Sequence, residues 1–193
     1  PEAYTLLDIY EGSMAKIFDQ TPDPITRVKN LYLWSKESGT GKSLTASSVL
    51  NTFLIKYYLG SKKRNIQPEQ TPIYFLDLNE FHTLFNKMTR PGIPTHVREE
   101  ASTKYYFQMD QAKKSTMIVL DDVGTRSITE AFRGDILDIV NERMKNYRPT
   151  IFTSNLKLEE LPALFGEQRL FDRIRDLALV IEFEGESKRG LRK

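Results

Sequence analysis

At 193 residues with a formal net charge of +2, the chain is long enough for one generous domain with its own core, and too evenly charged to announce a nucleic-acid partner through its overall field. It has no cysteine, which excludes disulfides and thiolate zinc sites, and its two histidines argue against a histidine-rich metal centre. No apolar run approaches the ~20 residues a membrane-spanning helix needs and no signal-peptide pattern opens the chain, so a soluble, cytoplasmic protein is expected. The first residues are Pro1-Glu2 rather than methionine, which predicts a fragment or a processed product.

Leu7, Tyr10, Met14 and Ile17 recur at mixed helical spacing and predict a leading helix over Tyr4–Phe18, which Thr21-Pro22-Asp23-Pro24 interrupts. Residues 1–24 are read as this helix and a linker, and 25–193 as the domain proper. Leu31–Trp34 is a short apolar strand. It stops at a polar loop ending in Gly39-Thr40-Gly41-Lys42-Ser43, and a helical pattern runs on from Ser43 to Leu59. Strand, glycine loop, Lys-Ser and helix form the layout of a phosphate-binding P-loop. Glycines let successive backbone N–H groups curl around phosphate oxygens, and the helix offers its positive N-terminal end. Ser38, Gly39, Thr40, Gly41, Lys42, Ser43 and Leu44 are therefore the candidate nucleotide-binding residues. Lys42 would reach the β- and γ-phosphates, and the Ser43 hydroxyl would ligate Mg²⁺. Lys36 stands where the motif's first glycine is expected. An ordinary glycine-rich turn lacks this flanking strand and helix, so the context points to a nucleoside triphosphate, ATP or ADP.

Four more short apolar runs follow at Ile73–Leu78, Thr116–Leu120, Thr150–Thr153 and Ala178–Phe183. Helical patterns separate them at Asn79–Met88, Val97–Lys113, Thr129–Asn146, Leu158–Leu164 and Glu167–Leu177. Near-continuous apolar strands alternating with helices predict a three-layer α/β domain with a parallel sheet. Ser61–Thr71, with its Lys62-Lys63-Arg64 run, and Thr89–Pro94 read as surface loops. On the helix Val97–Lys113, Lys104-Tyr105-Tyr106-Phe107 carries three adjacent rings, which cannot all face one core. An exposed ring beside Lys104 could stack a nucleic-acid base; the plainer alternative is two packed rings and one on the surface.

Met117–Leu120 runs into Asp121-Asp122. An acid at the carboxyl end of a parallel strand sits where such sheets bind ligands. After a P-loop this is the Walker B position: Asp121 would hold Mg²⁺, and Asp122 would polarise the attacking water. Two solvated acids opening a turn are the alternative. Many such enzymes carry glutamate at the second position, and the shorter Asp122 points to slow, switch-like hydrolysis. Thr150–Thr153 ends in Ser154-Asn155, where the Asn155 amide could sense the γ-phosphate or orient the water, although Ser-Asn after a strand also makes plain turns. Arg169, Arg173 and Arg175 punctuate a late amphipathic helix, either for phosphate contact or paired with Asp172 and Asp176.

Taken in order, the P-loop, the Asp121-Asp122 pair, Asn155 and the arginine-bearing helix resemble an AAA+ ATPase. Asn30-Leu31-Tyr32-Leu33-Trp34, Leu120-Asp121-Asp122-Val123-Gly124, the run from Arg148 to Leu156 and Arg169-Leu170-Phe171-Asp172-Arg173-Ile174 resemble DnaC/DnaI-type bacterial and phage helicase loaders, over roughly residues 25 to 192. The resemblance implies a five-stranded sheet of order 5-1-4-3-2 and an ATPase that helps place a hexameric DnaB-type helicase on single-stranded DNA in replication initiation, as part of a primosome. It implies that Arg173 is an arginine finger acting on ATP in a neighbouring subunit, and that Arg189 or Arg192 is the sensor 2 arginine. It also implies self-association through the ATP interface, and helicase docking through an N-terminal domain that is expected to lie outside this chain. An IstB-like ATPase subunit of a transposition system shares these motifs, and a nucleotide-binding regulatory module that never hydrolyses is the remaining alternative.

Overall fold

Both faces of the central strands are apolar, so the sheet is covered on both sides. A computed structural model describes residues 2–19, 27–124, 129–166, 168–184 and Ser187; the side chains of Glu2, Leu164, Arg169, Leu170 and Arg173 lie outside that description. Helix α1 (Glu2–Ser13) and a 3₁₀ turn (Met14–Phe18) precede β1 (Asn30–Trp34) and α2 (Lys42–Arg64). Strand β2 (Ile73–Asp77) runs directly into α3 (Leu78–Thr89), followed by α4 (Thr95–Lys114) and β3 (Met117–Val123). Then come α5 (Glu130–Lys145), β4 (Thr150–Ser154), a 3₁₀ turn (Leu158–Glu160), α6 (Leu161–Phe165), α7 (Gln168–Leu177) and β5 (Ala178–Glu182).

The five strands are parallel in the order β2-β3-β4-β1-β5, the expected 5-1-4-3-2 arrangement. Alternation decides the layers. Leu31, Leu33, Met117, Val119 and Ile151 face α1 and α2, packing on Leu7, Tyr10, Val49 and Phe53. Tyr32, Trp34, Ile118, Leu120 and Phe152 face the opposite side, against Phe81, Tyr105, Phe132 and Ile136. The central strands β1 and β4 are buried throughout, and the edge strands β2 and β5 are partly exposed, at Phe75 and Val180.

One expected loop begins as helix. Ser61–Arg64 continues α2, which closes at Asn65 in the left-handed region (φ +54°), with Ile66 N–H donating to the Ser61 carbonyl at 3.0 Å. Lys62, Lys63 and Arg64 thus form the last turn, where cations complement the helix dipole.

Below the sheet, at the amino ends of its strands, Arg143 is fully buried. Its guanidinium donates to the carbonyls of Ala112 (2.7 Å), Ser115 (2.8 Å) and Pro149 (2.7 Å) and to the Thr150 hydroxyl (2.8 Å). It thereby ties the end of α4 and the start of β4 to α5. Burial, with the charge of Arg148 adding to it, pulls its pKa down to about 9. Arg143→Met should destabilise the domain by about 3 kcal/mol, since orphaned buried carbonyls cost ~1–3 kcal/mol each and relief from burying the charge offsets part of that. For a chain of this length the melting temperature should fall by ~6–12 °C. A shift of less than ~2 °C would show that the clasp contributes little.

Candidate nucleotide-binding site

The carboxyl ends of β1, β3 and β4 meet at one edge of the sheet. Registers put Trp34 of β1 opposite Ser154 of β4, and Ser154 opposite Val123 of β3. The P-loop, the turn bearing Asn155 and the Asp121-Asp122 pair are therefore lateral neighbours, where open parallel sheets place ligands.

Pairing of β1 extends one residue past the strand, as Ser35 N–H donates to the Ser154 carbonyl at 3.2 Å. The loop then turns through Gly39 (φ +81°) and Gly41 (φ +102°), a backbone region that residues with a Cβ rarely adopt. A Cβ at Gly41 would meet nothing within 4 Å, so the constraint there is backbone conformation rather than space. Lys36 does not adopt a left-handed φ, so this backbone has no need of the glycine that the motif usually carries there. Gly41 caps α2 without a side-chain hydrogen bond to the first-turn amides. Lys42 is buried and its ammonium donates to the Glu37 carbonyl at 3.1 Å. The Thr40 hydroxyl is buried with no hydrogen-bond partner. Ser43 is half-buried in the first turn of α2, whereas Ser38 and Leu44 are exposed. A loop of left-handed glycines, an uncapped helix start, an adjacent ammonium and an orphaned buried hydroxyl fit a polyphosphate. The hard oxygen donors of Ser43 and Asp121 fit Mg²⁺, which takes one or two carboxylates and completes its shell with phosphate and water.

Asp121 is buried, and Asp122 sits in the left-handed region (φ +63°) within a register irregularity between Leu120 and Val123. That conformation costs a residue with a side chain ~1–2 kcal/mol, least for Asp and Asn. The Asp122 N–H donates to Thr153 Oγ1 at 2.9 Å, and its carboxylate accepts from Asn79 Nδ2 at 3.1 Å. Asn79 is itself fixed at the start of α3, where the Asp77 cap accepts from the Asn79 N–H at 2.8 Å. The turn after β4 is anchored on both sides: Ser154 Oγ donates to the Val123 carbonyl (2.6 Å), and Tyr32 donates to the Leu156 carbonyl (2.8 Å). Burial raises the pKa of Tyr32, keeping that phenol a donor. Asn155 rides half-buried on this pinned turn.

Sequence reading missed Thr153, Ser154 and Asn79. Polar residues at the end of an otherwise apolar strand, and an Asp-x-Asn step after β2, were the available signals. Arg173 lies on α7, with its side chain outside the description, and Arg189 and Arg192 lie outside the described residues. The aromatic group on α4 divides differently from expectation. Tyr105 is buried, stacked on Phe81 with centroids 4.2 Å apart, and donates to Asp135 at 2.5 Å. Tyr106 and Phe107 are 58% and 60% exposed, so one ring packs and two face outward. Lys104 is exposed and paired with Glu100 at 2.6 Å.

Residues 93–193 match the family described as IstB-like ATP binding protein, a span that takes in α4, both acids and the Asn155 turn. The chain belongs to that family. This IstB-like chain is also 26% identical over 201 residues to the replicative helicase loader DnaI of Bacillus subtilis (strain 168), covering 95% of the chain and 57% of the length of that relative. Its fold is similar to a crystal structure of DnaI (TM-score 0.60, 23% identity, 97% of this chain and 83% of that one). The DnaC helicase loader is similar at TM-score 0.56 (19% identity, 90% and 86%). The replication initiator DnaA bound to AMPPCP and single-stranded DNA is similar at TM-score 0.60 (16% identity, 96% and 46%). These likenesses attest the fold alone, the AAA+-type P-loop arrangement, for this member of the IstB-like family. No helix among the described residues is long and apolar enough to cross a membrane.

Proposed function

We propose that this domain is the ATPase of a replicative helicase loader, which binds Mg-ATP, hydrolyses it slowly and helps place a DnaB-type hexameric helicase on single-stranded DNA in the bacterial cytoplasm, or in that of the host if phage-encoded. The observation that carries this reading is the convergence of Gly39–Ser43, Asp121-Asp122 and Asn155 on one sheet edge. The similarity to the Bacillus subtilis loader DnaI supports it. Lys42 and the loop amides would hold the phosphates, and Ser43 and Asp121 the magnesium. The bound ion would neutralise developing phosphate charge. Asp122 would draw the proton of the attacking water, with Asn155 orienting that water. Arg173 would act across a subunit interface, and a separate N-terminal domain would dock the helicase. The outward rings of Tyr106 and Phe107 on α4 are the candidate base-stacking surface.

The IstB-like family match supports a second reading, the ATPase subunit of a transposition system. Pull-down of the full-length protein with the replicative helicase separates the two: a loader retains the hexamer, and a transposition ATPase retains its recombinase instead. Turnover with and without single-stranded DNA then tests both against a module that never hydrolyses. Stimulation by DNA is expected in the wild type and should drop several-fold in Tyr106→Ser/Phe107→Ser, because stacking contributes ~1–3 kcal/mol per base. Undiminished stimulation in the double variant would move the DNA surface off α4.

A further inference from the structure

Thr153 makes contacts that neither the P-loop nor the acid pair explains. It lies on β4, is fully buried, and stands between the two acids of the neighbouring strand. Its hydroxyl donates to Asp121 Oδ1 at 2.6 Å and accepts from the Asp122 N–H at 2.9 Å. A hydroxyl has one proton and two lone pairs, so this arrangement has a definite direction. The proton is committed to one oxygen of Asp121, Oδ1, so this bond does not occupy the other oxygen. A lone pair is committed to the amide of Asp122, the residue in left-handed conformation. On its other side, Thr153 is in register with Leu33 of β1, the strand that feeds the P-loop.

We propose that Thr153 is a positioning residue that couples the two acids through one hydroxyl, setting at once the orientation of the Asp121 carboxylate toward Mg²⁺ and the backbone turn that aims Asp122. The proposal rests on the nucleotide-site reading above, and it adds that metal affinity and hydrolysis are tuned together by the strand between P-loop and acids. A displacement of β1 when nucleotide enters would reach both acids through this one side chain.

The test compares Thr153→Val, which keeps volume and branching but loses the hydroxyl, with Thr153→Ser, which keeps the hydroxyl. The first readout needs no nucleotide. Amide exchange at Asp122 should quicken by about tenfold in Thr153→Val, as for loss of one hydrogen bond, and stay near wild type in Thr153→Ser. The second is the Mg²⁺ concentration that half-saturates ADP binding, followed by fluorescence of Trp34, the sole tryptophan, which ends β1 at the P-loop. It should rise ~10–100-fold in the valine variant, as for other groups that orient a metal ligand, with recovery in the serine variant. ATP turnover should fall alongside it. Wild-type exchange and magnesium dependence in Thr153→Val would overturn the proposal. So would equal damage in Thr153→Ser, which would mark a packing defect. If exchange responds as expected but the wild type binds no Mg-ADP, the nucleotide-site reading fails and takes the coupling role with it. If the wild type binds Mg-ADP and only exchange responds, the coupling role alone is wrong.

Discussion

Arg173→Ala is expected to leave ATP binding to an isolated subunit nearly intact while cutting turnover by ~10³-fold or more, the scale known for the strongest arginine fingers. The ground for this is chemical. A phosphoryl group in transit spreads charge over its equatorial oxygens, and a guanidinium supplies a rigid fork of donors to meet it. Residue 173 lies on α7, ahead of the edge strand β5, and Leu170-Phe171-Asp172-Arg173 resembles the finger motif of the loaders. Mixing variants makes the test specific. Lys42→Ala should lose nucleotide because it removes the ammonium from the P-loop, and Arg173→Ala should lose the finger. On the proposed shared site each would destroy a different half, so a mixed interface should restore one intact site and part of the activity. The mixture should be assayed at high protein concentration with DNA or helicase present. An inactive mixture with demonstrated co-assembly would rule out action in trans.

Asp122→Asn should retain Mg-ATP and lose turnover by ~10²–10⁴-fold, the range for removing a general base. The substitution suits the question because asparagine tolerates the left-handed backbone about as well as aspartate, so the φ of +63° need not change. The asparagine can also present its carbonyl oxygen to Asn79 Nδ2, keeping the contact now measured at 3.1 Å. What it loses is the capacity to accept a proton. Asp121→Asn should behave differently, raising the magnesium requirement while leaving Asp122, the proposed proton acceptor, in place. Normal hydrolysis by Asp122→Asn would mean that the two acids have been assigned the wrong roles.

These predictions differ in how far the chain alone could have supported them. The P-loop is legible because its determinants are contiguous: an apolar strand, glycines that permit left-handed turns, then Lys42-Ser43 at a helix start. Asp121 and Asp122 are legible for the same reason, since an acid pair directly after the apolar run Met117–Leu120 falls near the carboxyl end of β3. The sheet order came from family resemblance, and the registers of β1, β3 and β4 agree with it.

What only the tertiary structure decided involves partners far apart in sequence. Thr153 meets Asp121 across 32 positions, and Arg143 meets Ala112 across 31, distances over which helical and strand periodicity carry no information. On α4, periodicity could say that Tyr105, Tyr106 and Phe107 diverge. Only the packing of α3 and α5 shows that Tyr105 is the buried ring, closed over by Phe81 and held by Asp135. At β3 the apolar run gave no sign of the left-handed turn at Asp122, because that strain is offset by a hydroxyl from one strand and an amide from one helix. Local patterning determined which candidate phosphate-binding and acidic residues the chain carries and at which edge of the sheet they fall. Long-range hydrogen bonding decided how those side chains are held, since a buried polar group must be satisfied by whatever the fold brings beside it.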